Sequence, residues 1–216
     1  DGFKVDRFDH LVRYTAADAG TEGMIVFAQL RAGHERAQIE EQMAYFRALR
    51  QNFEWSVYAF DRPDNLQELL LARGIAAGAA ETFMLRRLPD SAPAAPAPTD
   101  TPWHIRRIDD EAGVRDVIRV QATVWDMDLD WVGTRLLRRL RGAPESLAIY
   151  CAYAAGEPIG SGWIDFPPGS EFAELHGGAV VTAWRGRGLY SALYRRRHEE
   201  AARRACAFLA VDATAL

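Results

Sequence analysis

One stretch of the chain constrains its fold more than any other: Val180–Arg204, VVTAWRGRGLYSALYRRRHEEAARR. A β-branched run ends, a tight Arg-Gly-Arg-Gly turn follows, and a long helical segment begins at once. Gly186 and Gly188 let the backbone take positive φ and bring amides close to a ligand with no Cβ in the way. The first amides of a helix have no partner inside it, and the helix dipole adds partial positive charge there. Such a turn is suited to phosphate. Arg185 and Arg187 add full charges that can fork onto phosphate oxygens. The competing reading is a glycine-rich strand-to-helix turn that binds nothing.

In Arg185, Gly186, Arg187, Gly188, Leu189 and Tyr190 the stretch resembles the acyl-CoA loop of the GNAT (GCN5-related N-acetyltransferase) superfamily, Gln/Arg-x-x-Gly-x-Gly/Ala. Tyr190 replaces the final small residue, a departure shared with a GNAT subgroup reading RGRGLY. The match gains weight from the strand before the turn, the helix after it, and the strand expected at Ala207–Ala213. A second anchor is Leu175, His176, Gly177, Gly178, Ala179, which is similar to a Leu-x-Gly-Gly-Ala stretch in a tandem GNAT-like group. DRPDNLQELLLARG followed by ETFMLRRL resembles the first domain of that group.

The order of elements agrees with this. Residues 103–108, 147–154, 158–166, 171–181 and 207–213 read as strands, with helices over 111–122 and 131–141. Asp109-Asp110-Glu111 supplies a cap and first-turn acids for the first of these helices. Ala155-Gly156-Glu157 signals a hairpin. An antiparallel meander meeting a parallel strand–helix–strand unit is a mixed sheet, so the fold class expected is α/β with the GNAT acyl-CoA N-acyltransferase fold over 103–216. In that family the strand at 207–213 is followed by a further helix and strand. The expectation is therefore that this domain is cut short at Leu216 or completed by something else. The missing segment commonly carries a tyrosine that protonates the departing thiolate, so the resemblance leaves that acid unassigned.

Earlier in the chain, short strands are expected at Phe3–Arg7 and Leu11–Thr15. A strand at 23–30, a helix at 34–50, a strand at 53–60, a short helix at 65–73 and a strand at 81–88 follow. The join RAGHERAQ lacks the loop pattern, and Gly33 alone cannot supply a row of amides. Residues 1–88 thus read either as a degenerate GNAT-like α/β domain that has lost its cofactor loop, or as an unrelated small α/β domain. Pro89–Pro102, with five prolines and no aromatic residue, cannot bury a core and reads as a semi-rigid linker.

Charge and composition narrow the function. The net charge is −4, with 11 basic and 15 acidic groups in residues 1–100 and 15 of each in 101–216. That argues against general nucleic-acid binding. Arg185–Arg204 nevertheless holds seven Arg against Glu199 and Glu200, a local basic site suited to a small polyanion such as CoA. No apolar run approaches the ~20 residues that span a bilayer. The opening DGFKVDRFDH has no secretory pattern, so a cytoplasmic protein is expected. Cys151 and Cys206 are too few for a disulfide framework and read as small buried hydrophobes. The five histidines are scattered without zinc-ligand spacing, so no metal is expected.

The resemblance implies direct attack of an amine on the thioester of acetyl-CoA. The diphosphate would rest on the amides of Arg187–Tyr190, with Ser191 completing the turn. The pantetheine arm would lie along a strand edge opened by a bulge at Gly177-Gly178. A backbone amide near Ala179 or Val180 would meet the thioester oxygen. Glu174 and His176, two apart on one strand, share a face, and either could accept the proton of the amine; the bland reading makes both solvated surface residues. Trp163 and Asp165 could shape the acceptor pocket, with core packing the simpler role for Trp163. Tyr190, Leu193, Tyr194 and Ala201 fall at helical spacing and read as core. The function expected is an N-acetyltransferase moving an acetyl group from acetyl-CoA to a primary amine of an unidentified acceptor, working as a monomer or homodimer without nucleic acid or membrane. The alternative is a non-catalytic acyl-CoA-binding or sensing module.

Overall fold

The computed structural model describes residues 3–16, 22–88 and 101–214. The chain divides between Ala79 and Ala80 into two compact units.

The N-terminal unit holds β1 (Phe3–Phe8), β2 (Leu11–Ala16), β3 (Gly23–Ala28), α1 (Glu35–Ala48), β4 (Phe53–Trp55) and α2 (Leu66–Leu71). The sheet runs β1-β2-β3-β4, with the first three strands antiparallel and β3 parallel to β4. Ile39 and Phe46, two helical turns apart, put one face of α1 onto Leu11, Ile25 and Leu66. Only Phe53–Trp55 of the aromatic run expected at 53–60 is strand. The chain then turns away, and buried Asp61 accepts hydrogen bonds from the amides of Ala28 (3.0 Å) and Tyr58 (2.8 Å).

The C-terminal unit holds β5 (Glu81–Arg87), β6 (His104–Ile108), α3 (Glu111–Trp125), α4 (Asp130–Gly142), β7 (Leu147–Ala154), β8 (Glu157–Asp165), β9 (Phe172–Val180), α5 (Leu189–Arg203) and β10 (Phe208–Thr214). The six-stranded sheet is ordered β5-β10-β9-β8-β7-β6 and is mixed, with β9 and β10 the parallel pair. Every residue of β7 is buried, as a central strand covered on both faces requires. Ile108, Val117 and Leu136 pack with Trp163 under α3 and α4, while Ile164, Leu175 and Leu193 pack on the α5 face. The Asp110 side chain accepts from the Gly113 amide at 2.6 Å and starts α3. Ala155 and Gly156, both at positive φ, close the β7–β8 hairpin.

One sequence expectation is corrected. The strand at 81–88, read as closing a domain of residues 1–88, is β5, and it pairs antiparallel with β10 from Glu81↔Thr214 to Arg87↔Phe208. Its sequence carries no partner information: every residue of β5 is exposed, so no buried face marks which core it serves. It occupies the sheet position beyond β10. Residues 89–100, the body of the expected linker, lie outside the described residues. Among the described residues no helix is long and apolar enough to cross a membrane.

Candidate active site

The parallel pairing of β9 with β10 is short, running only from Phe172↔Phe208 to Glu174↔Ala210. Beyond it β9 continues to Val180 and β10 to Thr214 without pairing to each other, so Leu175–Val180 presents a released strand edge. A bulge accompanies the split. Ser161 faces Ala179 and Trp163 faces His176, leaving Gly162 opposite both Gly177 and Gly178. Gly177 has φ +55°, and a Cβ there would lie 1.8 Å from the Trp163 ring. Only glycine fits. The buried Gln121 of α3 pins the bulge, donating to the Gly177 carbonyl (2.6 Å) and to Ser161 Oγ (2.7 Å), and its Oε1 accepts from the Trp125 indole at 3.1 Å.

After β9 the chain makes one 3-10 turn at Thr182–Trp184 and reaches the glycine turn. Gly186 (φ +71°) and Gly188 (φ +78°) both adopt the left-handed region, with nothing within 4 Å of where a Cβ would stand. The first bond of α5 is Ala192 N–H to the Gly188 carbonyl. The amides of Leu189, Tyr190 and Ser191 therefore have no helical partner, and the first turn contains no acidic side chain. Arg185 Nε donates to the Val180 carbonyl at 3.1 Å and ties the turn to the end of β9. The Arg187 guanidinium rests over the Trp184 ring, 4.9 Å from its centroid. Amides, two guanidinium groups and open space together fit a diphosphate.

On the α3/α4 face of the sheet, His176 Nε2 lies 3.6 Å from Glu174 and 3.7 Å from Asp165. These separations are electrostatic contacts rather than formed hydrogen bonds. The neighbouring imidazole nevertheless holds the Glu174 carboxyl below its ordinary range. Asp165 is buried and bound at 2.5 Å by Arg139 of α4. Asp212 of β10 is raised by burial and by Glu174. A carboxyl held low is a weak base. The residues expected on one face are thus brought together, and Trp163 packs below α3 while stacking 6.2 Å from His176.

Tyr190 departs from expectation. Leu193 and Ala201 are core and Tyr194 is half-buried, but Tyr190 is 53% exposed. Its hydroxyl stands 3.0 Å from where a Gly178 Cβ would be. The sequence reading missed Gln121, Arg139 and Arg197. Arg139 and Arg197 look like members of ordinary solvated arginine runs, and a lone helical glutamine carries no signal. Cys151 is buried with its thiol pushed up to about 11, the behaviour of an inert core residue.

A mixed sheet whose parallel pair opens beside a carboxylate-free helix N-terminus defines an acyl-CoA N-acyltransferase class of fold. Residues 114–215, within the C-terminal unit, match the family model described as Acetyltransferase (GNAT) family. Among solved structures, a GCN5-related N-acetyltransferase from Kribbella flavida superposes with TM-score 0.67 at 11% identity, covering 98% of this chain and 79% of that one. A functionally unknown conserved protein from Staphylococcus epidermidis gives 0.67 at 13% identity over 100% and 85%. A tandem GNAT protein from the clavulanic acid biosynthesis pathway gives 0.62 at 14% over 94% and 70%. At these identities the likeness is one of fold. No curated protein matches the sequence.

Proposed function

We propose that the C-terminal unit transfers an acetyl group from acetyl-CoA to a primary amine by direct attack. The observation that carries this is the row of partnerless amides at Leu189–Ser191 opening off the released edge of β9. Acetyl-CoA supplies an activated thioester. The turn Arg185–Ser191 holds its diphosphate through backbone amides and the charges of Arg185 and Arg187. The edge Leu175–Val180 offers the pantetheine arm backbone hydrogen bonds as an added strand would, and an amide near Ala179 or Val180 faces the thioester oxygen. His176, flanked by Glu174, takes the proton from the attacking nitrogen. Residues 1–79 we read as a GNAT-like unit that keeps the packing and has lost the cofactor loop.

Two measurements test the reading. A ligand at 100-fold over its Kd stabilises the folded state by about 2.7 kcal/mol, so acetyl-CoA and CoA should raise the melting temperature. Free thiol should then be released from acetyl-CoA in the presence of a suitable amine. Unchanged melting with both ligands overturns the reading. A shift without thiol release across a broad amine panel leaves an acyl-CoA-binding module instead.

A further inference from the structure

The sheet of the C-terminal unit ends in two unlike edges, β6 on one side and β5 on the other. An edge strand presents backbone groups that another chain can pair with, and proteins blunt such edges with charge. β6 is blunted. It carries Arg106 and Arg107, whose guanidinium groups are committed within the unit to Tyr153 (3.3 Å) and Glu200 (3.0 Å). β5 is not. Phe83, Met84 and Leu85 follow one another along it and are 49%, 48% and 51% exposed. Consecutive side chains alternate between faces, so both faces of this edge carry apolar surface.

Which backbone groups of β5 point outward follows from its pairing with β10. Leu88 N–H donates to the Ala207 carbonyl at 2.8 Å, and the register from Arg87↔Phe208 to Glu81↔Thr214 continues that pairing. In an antiparallel ladder only alternate residues bond a given neighbour, so Arg86, Met84 and Thr82 bond β10. The amides and carbonyls of Glu81, Phe83, Leu85 and Arg87 face the other way. Among the described residues β5 pairs with β10 alone. The four outward-bonding residues also share one face of the sheet. On the opposite face Arg86 donates to Tyr194 of α5 at 3.3 Å.

We propose that a second copy of this chain pairs antiparallel with β5 about a two-fold axis through Met84, continuing the sheet from one copy into the next. In that register every outward-bonding residue meets another. Glu81 stands opposite the partner's Arg87, and Phe83 opposite the partner's Leu85. The two-fold axis repeats both contacts, so each end of the ladder closes on an opposite-charge pair and its middle is apolar. Opposite charges and apolar pairs directly across a ladder stabilise it, while like charges oppose it. The same operation on β6 about its central residue would set Arg106 against itself. Each copy uses its β5 edge once, so the assembly closes at two. β5 lies on the far side of β10 from β9, so this pairing leaves the edge Leu175–Val180 open and does not depend on the acetyl-CoA reading.

The test is the mass of the whole protein in solution by analytical ultracentrifugation. A seven-residue strand pair is a small interface. Association is therefore expected over about 1–100 µM, ending in a species of twice 24.1 kDa. Glu81→Arg sets arginine against arginine at both ends, Arg87→Glu sets carboxylate against carboxylate, and each should weaken the dimer about tenfold. The two changes move net charge in opposite directions, so a general charge effect could not produce both losses. Combining them restores opposite pairs and should recover wild-type association. Met84→Lys places two ammonium groups at the axis and should leave monomer at every concentration. Met84 is half exposed, so the melting temperature of dilute protein should not change. A wild type of 24.1 kDa throughout overturns the proposal. So does a dimer that survives Met84→Lys, a combined variant that fails to recover, or an open-ended series of larger species.

Discussion

Both units contain a parallel strand pair joined through a helix, and the two strand-to-helix turns have opposite fates. In the N-terminal unit Gly33 also has positive φ (+80°), yet its amide donates to Glu35 at 3.1 Å. The Arg31 amide is taken by Gln38 at 2.7 Å. The edge of β3 is filled as well: Arg62 N–H reaches the Ala28 carbonyl, Leu30 N–H reaches the Arg62 carbonyl, and Asp61 takes the Ala28 amide. The chain has supplied its own anion and its own added strand. In the C-terminal unit the same two features, the first-turn amides and the strand edge, are left free. One scaffold satisfies its orphan groups internally; the other leaves them open.

The largest expected effect breaks the contrast outright. Arg187→Ala combined with Gly188→Ala removes a guanidinium and forces a side chain into φ +78°. It should weaken CoA binding at least about 1,000-fold, or about 4 kcal/mol, read by calorimetry. Gly33→Ala should leave CoA affinity unchanged and cost about 1–2 kcal/mol of stability at most. Retained affinity in the double variant would place the diphosphate elsewhere.

Next comes the bulge. Gly177→Ala adds left-handed strain of about 1–2 kcal/mol and overpacks Trp163 by about 1–3 kcal/mol more, because a ring held under α3 cannot swing clear. Urea unfolding should show the combined loss. A variant as stable as wild type would mean that the bulge is not set by this close approach.

A subtler change copies the N-terminal solution into the C-terminal turn. Ser191→Glu places a carboxylate at an exposed first-turn position, where it favours the helix but competes with phosphate for the free amides. Melting temperature without ligand should hold or rise slightly, while CoA affinity falls about 10- to 100-fold, or about 1.4–2.7 kcal/mol. Glu35→Gln, the reverse change, should create no CoA binding, since the β3 edge remains covered.

This contrast was half legible in the sequence. RGRG against RAGHERAQ foretold which turn could present amides, because positive-φ glycines and helix starts are local properties. The Gly177-Gly178 bulge was equally local. What lay beyond reach was non-local: that β5 serves the sheet of the C-terminal unit, that Asp61-Arg62 close the β3 edge, and that Arg197 crosses beneath Gly162. An arginine at the seventh position after Tyr190 is indistinguishable, by spacing alone, from Arg195 and Arg196 beside it. Only the packing of α5 on β8 decides which of the three is buried.

The smallest expected effect concerns the pair on the other face. His176 holds the Glu174 carboxyl below its ordinary value, so the folded state binds that proton less readily than the unfolded chain. The stabilisation is therefore complete above the unfolded value of ~4.3 and is lost as pH falls through the lower folded one. Glu174 is about half exposed, which limits the gain to less than about 1 kcal/mol. Glu174→Gln should melt slightly below wild type at neutral pH, and the two curves should converge on acidification toward the folded value. In His176→Ala the same Glu174→Gln change should have no pH-dependent effect. Were the difference instead to grow in acid, the folded state would favour the protonated Glu174 carboxyl, and the pairing with His176 would be overturned.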